Sequence, residues 1–257
     1  MPHWRLLTTQ PATGAENMAL DEALMEFARD TGEWVLRVYG WSTPTISLGR
    51  NQSARGRYDV VEIARRTLGM VRRPTGGRAI LHHREVTYSV TAPVAAAGDL
   101  RESYERINAV LVHGLRALGV SAEIAAPAAR ATAPGVAPCF DEPAQGELTV
   151  NGRKLAGSAQ WRTEEALLQH GSILLEDDQS ALSELTLGAS RAIPKPATLV
   201  ESMGRSPALE EVARVLADAV RRIEDPDAEV LIPDEILRAR AKALVVRYLD
   251  DAWTWRR

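Results

Sequence analysis

The order of the predicted elements is the feature that most constrains the fold of this chain. Apolar alternation bounded by turn residues predicts strands before about residue 190, whereas helical periodicity dominates afterwards. A sheet-forming part followed by helices is typical of the α+β class, so we expect one domain over residues 1–257, with a sheet core to about residue 190 and a helical tail over about 197–257. The predicted strands are residues 4–8, 34–39, 45–48, 70–73, 120–124 and 166–175, and the predicted helices are residues 16–29, 60–67, 100–118, 207–223 and 234–250.

Two further pairs of strand patterns are separated by turn residues and predict hairpins. Residues 148–150 and 153–156 flank Asn-Gly, the dipeptide that most strongly favours a two-residue turn. Residues 79–82 and 86–91 follow a glycine turn and indicate a second hairpin. Alternation along the first of these strands places His82 and the next histidine on opposite faces.

The bulk composition excludes several classes of protein. A net charge of −3 over 257 residues is unlike a general binder of polyanions, so no nucleic-acid partner is expected. With one cysteine, the chain can form neither an internal disulfide nor a multi-cysteine metal site. The start of the sequence does not resemble a signal peptide, and no apolar run is long enough to span a bilayer. We therefore expect a cytoplasmic protein with no membrane association and no bound metal.

The single thiol lies close in sequence to one of the few lysines. Cys139 precedes Lys154 by fifteen residues, and lysine occurs elsewhere only at Lys195 and Lys242. A thiolate can carry an acyl group, and a nearby ammonium can lower the pKa of the thiol and polarise a carbonyl. This pairing indicates acyl transfer. Residues 125–138, rich in alanine and proline, are predicted to form a mobile loop and a candidate lid.

Each of these features also has an ordinary structural explanation. Taken alone, Cys139 is more often a small buried residue than a nucleophile, and Lys154 more often a solvated hairpin residue. Gly76 and Gly77 let a ligand approach the backbone closely, but a Gly-Gly pair is also common in plain turns. Ser158 lacks the Gly-x-Ser-x-Gly context of a hydrolase nucleophile.

Several ordered motifs together resemble the lipoate–protein ligase A-like family. They are Asn-Met-Ala-Leu-Asp-Glu-Ala at residues 17–23, the segment from Arg-Arg-Pro-Thr-Gly-Gly to Thr-Tyr-Ser-Val at residues 72–90, Gly-Arg-Lys-Leu-Ala-Gly-Ser-Ala-Gln at residues 152–160, and the closing Trp-Thr-Trp-Arg-Arg. These motifs cover most of the chain. The resemblance implies a biotin/lipoate protein ligase catalytic fold, which is a mixed sheet with helices around a lipoyl or octanoyl tunnel.

Within that family, the chain is similar to the octanoyltransferase branch. Cys-Phe-Asp-x-Pro at residues 139–143 and Gln-His-Gly-Ser-Ile at residues 169–173 look like segments of that branch. Lipoate ligases usually have a third glycine where this chain has Arg78, and they usually carry an accessory C-terminal domain. One residue departs from the family pattern, because His83 stands where an aspartate usually follows the first histidine.

The resemblance implies octanoyl transfer from acyl carrier protein to a lipoyl-domain lysine through an acyl-cysteine. It implies Cys139 as the nucleophile and Lys154 as the group that orients the acyl carbonyl and stabilises the oxyanion. Exchange between thioesters is nearly isoenergetic, so neither ATP nor a cofactor is expected. The expected substrate-binding residues are Arg73, Gly76, Gly77, His82, Gly157, Ser158 and Ala159.

The expected partners are octanoyl acyl carrier protein as donor and a lipoyl-domain protein, such as the glycine cleavage H protein, as acceptor. Two other functions stay open at this point. An ATP-dependent lipoate–protein ligase would share the fold, and a non-enzymatic acyl-carrier-binding protein would not need both the thiol and the lysine. The candidate docking residues for an acidic carrier are Arg50, Arg55, Arg57, Arg72 and Arg73.

Overall fold

A computed structural model describes residues 2–125, 146–188 and 194–257 of the chain. Within those ranges the strands are β1 (Trp4–Thr8), β2 (Trp34–Tyr39), β3 (Thr45–Leu48), β4 (Gly69–Arg72), β5 (Ile80–His82), β6 (Glu85–Pro93), β7 (Glu123–Ile124), β8 (Leu148–Val150), β9 (Arg153–Arg162), β10 (Ala166–Leu174) and β11 (Glu229–Val230). The helices in the same ranges are α1 (Gly14–Thr31), α2 (Val60–Arg65), α3 (Val94–Ala97), α4 (Leu100–Ala117), α5 (Ser180–Glu184), α6 (Leu199–Met203), α7 (Leu209–Ile223), α8 (Glu235–Leu249) and α9 (Asp251–Thr254).

The strands of the described chain form two sheets. The large sheet has the order β11-β1-β2-β6-β10-β9-β8-β7, and the small sheet has the order β4-β3-β5. In the large sheet β1 runs parallel to β2 and β11, whereas β6 runs antiparallel to β2 and β10. The small sheet is also mixed, because β3 is parallel to β4 and antiparallel to β5. The predicted α+β class with a mixed sheet is confirmed.

The hairpin predicted around Asn151 and Gly152 is confirmed, and its second strand is longer than predicted. Both turn residues have positive φ, 50° and 72°, as a two-residue turn with the twist of a hairpin requires. The second strand, β9, continues to Arg162 and pairs with β10. The strand predicted at residues 120–124 is shorter than expected, since only β7 is extended there.

The second predicted hairpin is wrong. β5 pairs with β3 in the small sheet, whereas β6 pairs with β2 and β10 at the centre of the large sheet. His83 and Arg84 carry the chain from one sheet to the other. All nine residues of β6 are buried. A strand buried on both faces shows little alternation, so its pattern does not specify which neighbour it pairs with.

Capping residues set both ends of α1, which packs against α8. Thr13 and Glu16 form a reciprocal capping box at the start, and Gly32, at φ 78°, ends the helix with its N–H bonded to the Ala28 carbonyl. The helix therefore begins two residues before and ends two residues after the predicted range of 16–29.

The C-terminal part of the chain is not purely helical, which corrects the prediction for residues 197–257. β11 lies between α7 and α8 and joins the large sheet as an edge strand beside β1. α7 packs on α4, and both helices bury apolar side chains against one face of the large sheet. Sequence patterns missed β11 because a two-residue strand has no periodicity.

A buried layer of polar side chains joins α1 to the other face of the large sheet. Asp21 is fully buried and accepts hydrogen bonds of 2.8 Å from Arg37, Tyr39 and Ser89, while its Oδ2 lies 3.0 Å from Nδ1 of His170. Burial by itself raises the pKa of Asp21, but the Arg37 charge and the His170 hydrogen bond outweigh it and hold the pKa below its usual value. One helix and three strands therefore meet at an ionised carboxylate.

We predict that Asp21→Asn destabilises the protein by about 3–5 kcal/mol, because the buried Arg37 loses its carboxylate. Urea unfolding measures the difference. Asp30→Asn is the matched control, since Asp30 pairs with Arg29 and Arg240 at the surface and should change stability far less. Equal losses in the two variants would contradict this role. Because the pKa of Asp21 is lowered, its stabilising effect should be complete above the unfolded pKa and disappear as pH falls through the folded pKa.

Candidate active site

A pocket lies between the large sheet and the small sheet. Residues of β2, β6, β9 and β10 line one side, and residues of β5 and of the loop that follows β4 line the other. Met18 of α1 and Trp41 complete the wall. Six of the predicted substrate-binding residues line this pocket, namely Arg73, Gly77, His82, Gly157, Ser158 and Ala159.

Three predicted site residues are not part of this lining. Gly76 lies beside it, and its carbonyl accepts hydrogen bonds from the Arg73 guanidinium. Lys154 lies on β9, three residues before Gly157, which does line the pocket. Cys139 lies outside the described residues, as do the rest of the motif at residues 139–143 and nearly all of the predicted lid.

Glycines let the pocket walls approach closely. A Cβ on Gly49 would lie 1.9 Å from the carbonyl oxygen of Gly77, so the chain after β3 presses against the loop that lines the pocket. On β10, a Cβ on Gly171 would lie 2.7 Å from the Tyr88 ring and 2.8 Å from Oγ of Ser158. The side chains of Tyr88 and Ser158 reach across this glycine and hydrogen-bond at 2.6 Å.

Arg73 braces the glycine loop from within. Its guanidinium donates to the carbonyls of Gly76 and Arg78 and to both the carbonyl and hydroxyl oxygens of Ser47. Arg73 is 5% exposed and Arg72 is fully buried, so the docking role predicted for these two arginines is wrong. The Arg72 guanidinium instead donates to main-chain carbonyls of neighbouring segments. Sequence patterns do not reveal such a use, because it depends on where separate loops cross.

His170 links the buried Asp21 to the same loop. Its Nδ1 lies 3.0 Å from Oδ2 of Asp21, and its Nε2 lies 2.6 Å from Oγ1 of Thr75. An ionised carboxylate only accepts, so Nδ1 carries a hydrogen and donates it to Asp21, while Nε2 shares a hydrogen bond with the Thr75 hydroxyl. The sequence motifs contain both residues, but their separation of 95 positions hides the contact. Sequence reasoning therefore missed His170 and Thr75 as site residues.

His82 is a neutral residue of the pocket wall. Its ring stacks on Trp41 with the centroids 3.9 Å apart, and its Nε2 lies 2.8 Å from a serine hydroxyl of β3. Burial lowers the pKa of His82, and nearby Glu85 only partly offsets this. His83 lies outside the pocket, half-exposed, with Nδ1 3.0 Å from Oδ2 of Asp178. The two histidines thus occupy different environments, as the strand pattern predicts.

Lys154 forms a buried ion pair beside the first strand of the hairpin. Its Nζ lies 2.7 Å from Oε1 of Glu147, and both side chains are less than a tenth exposed. Glu147 is the second described residue after the gap at residues 126–145. The ladder between β8 and β9 shifts register next to Thr149, which pairs with Lys154, and such irregularities re-aim side chains. The ion pair therefore fixes the ammonium beside the residue that precedes β8.

The described pocket suits an uncharged, slender ligand. Glycine, alanine, apolar and hydroxyl residues dominate its lining. The carboxylates of Asp21 and Glu85 do not line it but hydrogen-bond to residues that do. Across residues 2–125, 146–188 and 194–257, no group of three or more His, Cys, Asp or Glu residues could hold a metal ion. None of the helices in these ranges combines the length and apolarity needed to cross a bilayer.

Comparison with known proteins identifies one matching family and several relatives that all carry the same name. The family model of the lipoyl protein ligase A/B catalytic domain matches residues 13–221. An octanoyltransferase LipM of Kyrpidia tusciae is 40% identical over 278 residues, and one of Brevibacillus brevis is 34% identical over 276 residues, each alignment covering all of both chains. A third octanoyltransferase LipM, from Carboxydothermus hydrogenoformans, is 44% identical over 71% of this chain and 68% of its own.

Solved structures share the fold at lower identity. A putative lipoate protein ligase from T. acidophilum superposes with a TM-score of 0.81 at 20% identity, over the whole of both chains. A lipoate-protein ligase A bound with ATP superposes with a TM-score of 0.79 at 21% identity, over 99% of each chain. Similarity at this level of identity shows that the fold is shared.

We predict that Gly49→Ala destabilises the protein by roughly 1–3 kcal/mol, because the new methyl group would overlap the Gly77 carbonyl and force two backbone segments apart. Gly76→Ala is the control in the same region, since a Cβ there would meet no atom within 4 Å. Urea unfolding of both variants checks the prediction. If the two variants unfold at the same urea concentration, the close contact does not hold the loop.

Proposed function

The chain belongs to the lipoyl protein ligase A/B catalytic-domain family, and we propose that it is an octanoyltransferase that moves octanoyl from acyl carrier protein to a lipoyl-domain lysine. The observation that carries this proposal is full-length similarity, at 40% and 34% identity, to octanoyltransferases LipM. The alternative, an ATP-dependent lipoate–protein ligase, shares the family and the fold, but the matching ligase structures are only 20% and 21% identical.

The pocket chemistry supports a medium-length acyl chain as the transferred group. Gly77, Gly157 and Gly171 leave backbone where side chains would otherwise fill the space between the sheets. Each methylene that leaves water gains about 0.8 kcal/mol, so an octanoyl chain gains roughly 5 kcal/mol on burial. A short acyl chain gains much less, because it buries fewer methylenes.

We assign the covalent step to Cys139. Its thiolate attacks the thioester carbonyl, the carrier's phosphopantetheine thiolate leaves, and that thiolate takes up the proton that Cys139 released. In the second step the neutral amine of the acceptor lysine attacks the acyl-cysteine carbonyl. The Cys139 thiolate leaves and takes up the proton that the nitrogen loses as the amide forms. One thioester is exchanged for another and then converted into an amide, so the sequence of steps runs downhill without ATP.

We assign Lys154 to the acyl carbonyl in both steps. Its ammonium would donate to the oxyanion that develops as each tetrahedral intermediate forms. The ion pair with Glu147 supports this assignment, because a buried partner holds the ammonium in place before substrate arrives. Substrate must then share the ammonium with Glu147.

We also propose which two proteins are the substrates and in which compartment the reaction takes place. The donor is octanoyl acyl carrier protein, and the acceptor is a lipoyl-domain protein such as the glycine cleavage H protein. The cytoplasmic location expected from the sequence remains a prediction, and a reducing cytoplasm would keep Cys139 as a free thiol.

We predict that Cys139 becomes octanoylated when the protein is incubated with octanoyl carrier protein and no ATP. Intact-mass spectrometry should show a gain of one octanoyl group that neutral hydroxylamine removes and that is absent from Cys139→Ala. Cys139→Ser should turn over very slowly, because an alkoxide is far harder to generate than a thiolate.

Full transferase activity of Cys139→Ala would exclude the acyl-cysteine. Turnover with lipoate and ATP, in the absence of turnover with octanoyl carrier protein, would exclude the transferase and support the ligase.

We predict that Lys154→Gln lowers the transfer rate by about 10²–10³, as expected for the loss of one oxyanion donor. Glutamine is chosen because its amide can still donate to the buried Glu147, whereas alanine would leave that carboxylate without Lys154 and would destabilise the fold. Lys195→Gln is the matched control, since the side chain of Lys195 is 68% exposed. Steady-state kinetics and an unfolding midpoint are measured for each variant. A Lys154→Gln protein of normal stability and normal rate would rule out the assigned role.

A further inference from the structure

A group of arginines without acidic partners lies beside the pocket loop. Within the described ranges, no Asp or Glu side chain forms an ion pair with any of them, whereas surface arginines such as Arg65 and Arg101 pair with glutamates. The group, called the arginine rim below, consists of Arg50, Arg55, Arg57, Arg256 and Arg257.

Main-chain contacts place the rim next to the pocket. The backbone N–H of Arg50 donates to the Thr75 carbonyl at 2.7 Å, and the Arg50 guanidinium lies over the Trp161 ring, 4.7 Å from its centroid. Thr75 precedes the glycine pair of the pocket loop, and Trp161 is two residues beyond Ala159, which lines the pocket. The rim therefore borders the side of the pocket that Gly77 and Ala159 form.

Two separate chain segments build the rim. A main-chain oxygen of Arg257 accepts hydrogen bonds from the backbone N–H groups of Ala54 and Arg55, at 3.0 and 3.1 Å. The Arg256 side chain donates to the Arg50 carbonyl. The residues at 50–57 and 255–257 are thus held together, although about two hundred positions separate them. Arg55, Arg57 and Arg257 are exposed, and Arg50 and Arg256 are half-buried.

The positive charges of this region are crowded. Burial, followed by the charges of Arg256 and Arg257, lowers the pKa of the underlying Arg72 to about 10. Burial and then the Arg50 and Arg257 charges lower the pKa of Arg256. Like charges held together at a surface repel one another, and an anionic partner relieves that repulsion on binding.

We propose that the arginine rim is the docking surface for an acidic face of the acyl carrier protein that delivers the octanoyl thioester. This inference rests on the proposed function. The donor must bring its thioester to the pocket, and the rim borders the pocket. None of the five arginines lines the pocket itself. They do not surround a site for a small anion. They are spread over two segments of the surface, which a protein partner can cover. Because the whole chain carries a net charge of −3, this local positive surface also orients an acidic partner as it approaches.

The structure changes the membership of the docking surface predicted from the sequence. Arg72 and Arg73 leave it because they are buried, and Arg256 and Arg257 join it through contacts that only the folded chain makes.

The test compares two double charge reversals of equal size. Arg57→Glu with Arg257→Glu changes the rim at two exposed residues that donate no side-chain hydrogen bond to a described residue. Arg222→Glu with Arg238→Glu changes net charge equally at exposed positions on α7 and α8. Each protein is assayed with two donors, octanoyl carrier protein and octanoyl-pantetheine. The second donor lacks both the carrier protein and its phosphate. The concentration of the lipoyl-domain acceptor is also varied, to give its KM.

For the rim variant, we expect KM for octanoyl carrier protein to rise on the order of tenfold or more, with kcat/KM for octanoyl-pantetheine unchanged. The wild-type KM for carrier protein should rise with salt, and the rim variant should lose most of that dependence. The control variant should behave like wild type.

Equal loss with both donors, an equal effect in the control variant, or a rise confined to the KM for the acceptor would each overturn the proposal. Failure of the proposed function is a different result, because the wild-type protein would then transfer octanoyl from neither donor.

Discussion

The buried carboxylate of Asp21 is the interaction on which the rest of the structure depends. An ionised carboxylate without water is costly unless every acceptor position is used, and here Arg37, Tyr39, Ser89 and His170 use them. These four groups come from β2, β6 and β10, while Asp21 comes from α1. Satisfying one charge therefore fixes the helix against the centre of the sheet and orients the His170 ring, with a hydrogen on its Nδ1.

That fixed histidine extends the constraint to the pocket. His170 also hydrogen-bonds to the Thr75 hydroxyl, so the loop after β4 is tied to the large sheet, and Arg73 braces the same loop through carbonyls within it. The Gly49 backbone supports the loop from the other side. A slot for a flexible acyl chain benefits from such rigid walls, because the chain then loses its own freedom without the protein also having to become ordered.

The shared fold explains how an acyl group can be bound, but it does not distinguish acyl transfer from ATP-dependent ligation. This chain shares its fold with solved lipoate-protein ligase structures, and one fold can support different chemistries. What separates the two chemistries is the activating group, which is a thiol in the transferase proposed here and a nucleotide in a ligase. The identity of the curated relatives, and not the shape of the pocket, therefore carries the functional conclusion.

Local sequence determined the features that depend on near neighbours. The capping box and Gly32 determined the ends of α1, Asn151 and Gly152 determined the β8–β9 turn, and the combined motifs indicated the family. Only the tertiary structure decided the partner of β5, the sheet position of β11, the burial of Arg72 and Arg73, and the contact between His170 and Thr75. These features depend on groups that are distant in sequence. A residue pattern shows which face of a helix or strand is apolar, but it does not show which distant segment will cover that face.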